Sequence, residues 1–318
     1  AANLRAALEE APPADAARLA AALTWWWLLR GRFHEARGVL AEHAPGSLFH
    51  TAFALLTGDH GATAEPRGRG RAVWLYAYAL FHAGRAAASR EANARARELF
   101  AEADDRWGTA AALALRAMHA MNAGALAEVA DAGGRAAAIF RDLGDQWGEL
   151  QTVPPLAVLA EVRGDYAEAE RLQAGGLRIA RDLGLRAEES ERLSGLGRLA
   201  LLARDWDRAR DLHERAHRLA AEQGYRYSEV YALMGLALGA RRRGDLDAAE
   251  RHLRTLRAGY ESSALGEHLM AAEEGFIAEL RGDAATALAR HRAGLEIAVG
   301  LAEPRALALS LEGLAGAS

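Results

Sequence analysis

Residues 213 to 217 read His-Glu-Arg-Ala-His, a literal H-E-x-x-H. On a helix this spacing sets two imidazoles one turn apart with a carboxylate beside them, the donor set with which a zinc hydrolase holds its metal and activates water. Such a site needs a third ligand, and the sequence places none. No G-x-x-x-x-G-K-[ST] phosphate loop is present, and the Gly-x-Gly spacing of residues 67 to 71, RGRGR, lacks a preceding strand. Arg241-Arg242-Arg243 falls at a predicted helix C-terminus, where cations complement the helix dipole. With no cysteine, the chain has no disulfide, thiolate metal site or cysteine nucleophile. The expectation is a non-enzymatic protein without catalytic residues, metal or cofactor, with a HERAH-based zinc hydrolase as the remote alternative.

The elements that carry these residues are set by an internal rhythm. Turn marks stand at Gly84-Arg85, Gly124-Ala125, Gly164-Asp165, Arg204-Asp205 and Gly244-Asp245, forty residues apart, and a sixth at Gly282-Asp283 follows two residues early. A second series, Trp107-Gly108, Trp147-Gly148, Ala187-Glu188 and Tyr227-Ser228, opens the next helix at the same spacing. Two marks per period mean two helices per repeat. Glycine supplies a positive φ to end the first helix, and Asp caps the second; Gly144, Gly184 and Gly224 end the second helices. The fold class is all-α, an α-solenoid of about eight helical hairpins whose G-D-Y-x-x-A pattern resembles tetratricopeptide (TPR) repeats in a forty-residue form. In this register His213 replaces Gln173 and precedes Leu253, a packing position.

Three segments follow: an N-terminal helical segment with the first repeats over 1–58, an irregular Gly/Pro/Arg loop over 59–71 that is a candidate hinge, and a regular array over 72–318 as one continuous superhelix. Pro154 and Pro155 fall mid-helix, and either kink that helix or delay its start to near Val153.

Three adjacent tryptophans in TWWWLLRG, Trp25 to Trp27, sweep roughly 200° of a helix and cannot share one buried stripe. Register puts Trp27 in the hairpin core and Trp25 on the concave face. Trp26 then covers an additional element, the segment before it or a neighbouring domain, and is the expected partner contact. The same register nominates a groove on the first helix of each repeat. It takes in Arg71, Trp74, Tyr78, Phe81 and His82, then Met118, Met121 and Asn122, then Gln151 and Pro154 with Val158 and Glu161. Arg198, with Glu191 and Ser194, and then Tyr231, Met234, Arg241 and Phe276 continue it. Aromatic and Met residues with a few charges suit a peptide, a partner helix or a small hydrophobic molecule. The alternative is a face filled by the superhelix's own curvature. Arg116 is either a groove residue or a snorkelling arginine.

Composition narrows the class further. A net charge of −4 gives no footprint for direct nucleic-acid binding, and no apolar run approaches the ~20 residues that span a bilayer. No membrane association is expected, and a cytoplasmic protein fits. The chain starts Ala-Ala-Asn, without an initiator Met, and reads as a piece of a longer protein.

NLRAAL at 3–8, followed by RLAAALTWWWLLRGRFHEARGVL at 18–40, resembles the segment after the ATPase module of large AfsR-like (SARP) and related LuxR-type regulators. IFRDLGDQWGEL at 139–150 and AEVRGDYAEAERL at 160–172 resemble their C-terminal TPR arrays. The resemblance implies a TPR sensor or interaction arm downstream of a DNA-binding region and a STAND-type NTPase, neither of which lies in this sequence. Its partners would be its own upstream NTPase domain and a peptide, protein or small-molecule inducer. The competing reading is a free-standing TPR adaptor for peptides or proteins. The degenerate second repeat departs from the regular pattern.

Overall fold

The structure, a computed structural model, describes residues 7, 8, 10–259, 264–301 and 304–317. Residues 3–6 of the opening segment lie outside the described residues. Among those described, the chain forms sixteen α-helices and no strand. The first three are α1 Pro13–Leu29, α2 Phe33–His43 and α3 Leu48–Leu56. After the non-helical residues 57–69 come α4 Gly70–His82, α5 Ala86–Glu102, α6 Arg106–Asn122, α7 Leu126–Leu143, α8 Gln146–Val162 and α9 Tyr166–Asp182. The array continues with α10 Arg186–Leu202, α11 Trp206–Gln223, α12 Arg226–Arg243, α13 Leu246–Gly259, α14 Ala264–Leu280, α15 Ala284–Leu301 and α16 Pro304–Gly316. The result is an α-solenoid of TPR-like hairpins.

The turn chemistry sets the hairpins. Gly84, Gly124, Gly164, Gly244 and Gly282 all have φ between 70° and 93°, and Arg204 adopts the same left-handed conformation at φ 59°. Asp165, Asp205, Asp245 and Asp283 then cap the following helix, each carboxylate accepting from the amide three residues on. Asp104, φ 49°, occupies the place that Gly144 takes one repeat later.

Successive hairpins interlock where a bulky side chain on the second helix of one repeat meets a glycine on a neighbouring first helix. The Phe100 ring fills the space that a Cβ at Gly108 would occupy, 2.0 Å away, and Phe140 does the same at Gly148, 2.1 Å. Farther along, Ala180 and Ala220 replace the phenylalanines while Glu188 and Ser228 replace the glycines, so size is exchanged across one contact.

Pro154 and Pro155 lie inside a continuous α8, so residues 147–153 are helix and not an opened loop. Proline at 154 cannot donate to the carbonyl of Leu150, four residues back. The buried Arg192 does so instead, through Nη1 at 3.0 Å. Residues 59–69 are held at several points: Asp59 pairs with Arg37, the Ala62 carbonyl accepts from Arg85, and the Ala64 amide donates to the Tyr76 hydroxyl.

Candidate binding cavity

The three adjacent tryptophans have three different environments. Trp27 is 2% exposed, in the core. Trp26 is 36% exposed, with the Arg32 guanidinium 5.2 Å from its ring centroid. Trp25 enters a cluster with Trp74, Trp107 and Trp147 at centroid distances of 6.0, 5.2 and 6.1 Å. These rings belong to α4, α6 and α8, so α1 lies across the first helices of three later repeats. Its turn into α2 reaches farther: Gly31 abuts Gln223, Arg30 approaches Gly184, and His34 abuts Gly224.

The N-terminal hairpin therefore occupies part of the concave face, and several of the nominated residues do not line an open groove. Trp25 packs in the tryptophan cluster, and Trp74, 1% exposed, belongs to the core. Neither lines an open groove, because the superhelix brings α1 back over these positions. Arg71 lies outside the cavity as well, over the Trp107 ring and paired with Asp105. Met118 packs against the main core, Met121 against a smaller cluster with Val129 and Leu159, and Gln151 and Pro154 are half-buried on α8.

Next to the cluster, ionisable groups line the seam between the early and late repeats. The Trp147 indole donates to Glu188 at 2.6 Å, and Trp107 donates to Asp145 at 2.5 Å. The Tyr225 hydroxyl donates to Glu191 at 2.9 Å and lies 3.3 Å from His82 Nδ1, while its ring meets Phe33 edge-on. Burial, reinforced by the neighbouring Glu191, pushes the Glu188 carboxyl up to about 7. Burial pushes His82 down to about 3 and raises Tyr78, which contacts both Trp74 and His82, well above its ordinary value.

Beyond the seam an open cavity of about 1680 Å³ remains between the early helices α4 to α7 and the later helices α10, α11, α12, α14, α15 and α16. Of the sequence-nominated residues, it brings together Phe81, His82, Asn122, Arg198, Tyr231, Met234, Arg241 and Phe276. Arg198 is paired with Glu161, and Arg241 forms a two-pronged ion pair with Glu273 while its guanidinium stacks 4.9 Å from Phe276. On the early wall, Arg116 lines the cavity and pairs with Glu128 at 2.5 Å. At the far edge Arg305 of α16 donates to the Met121 carbonyl, linking the last helix to the end of α6.

A groove built from first helices alone leaves out Arg85, Arg90, Asn93 and Arg97 of the α4–α5 turn and α5, which also line the cavity. Residues 90, 93 and 97 share one helix face, a signal that was readable. What was not readable is that closure of the superhelix turns this face toward α12.

His213 of the HERAH segment is 1% exposed, its ring wedged between Gly197 and Gly235, where added Cβ atoms would lie 2.7 and 2.2 Å away. Burial pushes its pKa down to about 4. His291 occupies the same kind of slot between Gly275 and Gly313, with Nε2 2.8 Å from Glu279. The packing register thus explains His213. Among the described residues, no group of three or more His, Cys, Asp or Glu side chains is placed to hold a metal ion.

No family model matches the chain, and no curated relative does. Solved structures do. A Rap protein complexed with competence and sporulation factor superposes with a TM-score of 0.60 at 12% identity, covering 96% of this chain and 98% of that one. A chain of the APC/C hetero-tetramer Cut9-Hcn1 gives 0.59 at 16% identity, over 93% of this chain and 55% of the other. The signal-transduction ATPase with numerous domains (STAND) protein with a TPR sensor, PH0952 from Pyrococcus horikoshii, gives 0.51 at 13% identity, over 99% of this chain and 45% of that one. At these identities the likeness is one of fold. The chain is built as a TPR-like helical-repeat solenoid, and no described helix is long and apolar enough to cross a membrane.

Proposed function

We propose that this chain is the non-catalytic sensor and interaction arm of a bacterial transcriptional regulator, working in the cytoplasm and acting on an NTPase and DNA-binding region upstream of it. The observation that carries the reading is the cavity of about 1680 Å³, walled by the early repeats on one side and the late repeats on the other. An inducer or partner seated there touches both walls at once. It therefore favours whichever arrangement of the superhelix keeps those walls at the right separation, and only such differential binding can shift a conformational equilibrium. The shifted element is the N-terminal hairpin, because its turn rests on Gly184 and Gly224 while α1 rests on the tryptophan cluster. The exposed Trp26 beside Arg32 is the proposed contact to the upstream domain.

Support comes from two fold neighbours, one carrying a TPR sensor on a STAND ATPase and one solved in complex with a named factor. A free-standing adaptor would use the same cavity and differ in lacking the ATPase. Native mass spectrometry of the purified chain tests the reading. Expected is a bound molecule, retained from the cell or added, whose mass disappears in Tyr231→Ala and Phe276→Ala. Retention of the ligand in both variants would place binding elsewhere and remove the support for the cavity.

A further inference from the structure

The chain as a whole is acidic, with a net charge of −4, yet seven arginines line the cavity against three glutamates, Glu128, Glu273 and Glu312. Arg116, Arg198 and Arg241 are neutralised by Glu128, Glu161 and Glu273, and Arg85 is spent on the Ala62 carbonyl. Arg90 and Arg97 on α5 and Arg242 on the opposite wall have no acidic partner among the described residues. Between the two α5 arginines lies Asn93, 4% exposed. Its Nδ2 donates to the Ala112 carbonyl, while its Oδ1, buried on the cavity wall, has no hydrogen-bond partner.

Resting on the cavity reading above, we propose that the occupant is an acidic peptide segment in extended conformation, with its carboxylates on Arg90, Arg97 and Arg242 and a backbone N–H donated to Asn93 Oδ1. An orphaned buried acceptor is costly, and a main-chain amide is the donor that an extended segment always carries. Guanidinium groups suit carboxylates as planar, two-pronged donors. Seven helical residues separate Arg90 and Arg97 by about 10 Å along α5, the reach of three residues of extended chain at about 3.3 Å each. Tyr231, Met234 and Phe276 form the apolar part of the opposite wall and take a hydrophobic side chain of the same segment. Size also favours a peptide, since small-molecule pockets occupy roughly 300–1,000 Å³.

The test uses the whole chain and a fluorescein-labelled ten-residue peptide with glutamates three and four positions apart and leucine and phenylalanine between them. Its glutamine and lysine counterparts serve as controls, and binding is read by anisotropy at two salt concentrations. The acidic peptide is expected to bind about tenfold or more tightly than the glutamine version, with an affinity that falls as salt rises. The lysine version is expected not to bind. Arg90→Gln, Arg97→Gln and Arg242→Gln should each weaken the acidic peptide several-fold, leave the glutamine version unaffected and keep the melting temperature. Asn93→Leu should weaken both. Equal binding of the glutamate and glutamine peptides would overturn the acidic class and leave the cavity function standing. No peptide binding, with a non-peptide mass held in a Phe276-dependent way, would overturn the peptide and again leave the cavity function. No peptide and no cavity ligand of any kind would overturn both.

Discussion

Arg192 joins two repeats through a backbone defect, and a double-mutant cycle measures how much it contributes. Pro154 leaves the fully buried Leu150 without its helical donor, and Arg192, 3% exposed, supplies one from α10 while its Nη2 holds Glu191 at 2.9 Å. Arg192→Met breaks a buried ion pair and also orphans the Leu150 carbonyl. Losing one partner of a buried pair costs about 3–5 kcal/mol, and an orphaned buried acceptor accounts for about 1–3 kcal/mol of such losses. In a Pro154→Ala background the residue at 154 has an N–H again and can close the i→i−4 bond to Leu150. The Arg192→Met loss should then shrink by about 1–2 kcal/mol, roughly the worth of the restored carbonyl bond. Guanidinium denaturation of the four proteins, followed by helical circular dichroism, gives the coupling. If the two substitutions add to within about 0.5 kcal/mol, the arginine does not compensate for the proline and the account of α8 is wrong.

Glycine-to-alanine changes should divide by what a Cβ would meet. Gly134→Ala, with open space around it, should stabilise by up to about 1 kcal/mol through helix propensity, whereas Gly108→Ala, 2.0 Å from a Phe100 ring already wedged against Gly70, should destabilise by about 1–3 kcal/mol. Thermal melts of the two would disagree with this packing scheme if they moved in the same direction. Arg204→Gly, at φ 59°, should raise stability by about 1 kcal/mol because only glycine enters this region without strain, and an unchanged denaturation midpoint would show that the arginine pays no such penalty. Acid should destabilise the fold. Burial holds His119 and His213 down to about 4 and His82 to about 3, so the unfolded chain takes up their protons first, and their stability contribution, complete above pH 6.5, is lost as pH falls toward 4. Glu188, raised to about 7, opposes this by gaining stability between pH 7 and 4.5, and Glu161 and Glu191, also raised by burial, act with it, while His252, lowered by burial, adds to the loss. The three strongly shifted imidazoles outweigh the carboxyls and leave a net loss from pH 7 to 5. Denaturant midpoints at the two pH values measure it, and a midpoint that rises on acidification would contradict the burial of these imidazoles.

The forty-residue spacing of glycine, aspartate and tryptophan was enough to specify the hairpins, because turn conformation and capping depend on residues within a few positions of one another. The same register identified His213 as a packing residue and Trp27 as core. Continuity of α8 through Pro154 was undecidable locally, since the donor that makes it tolerable, Arg192, arrives from the next repeat. The site depended still more on tertiary structure. Each repeat adds a small rotation, and only their sum carries α1 over Trp74, Trp107 and Trp147 and brings α16 to the end of α6. That closure packed Trp25 into the tryptophan cluster and buried Trp74, both of which the register assigns to the groove. It also turned Arg90, Asn93 and Arg97 of a second helix into a cavity wall. Local sequence determines each hairpin, and the accumulated geometry of many hairpins determines which faces remain open.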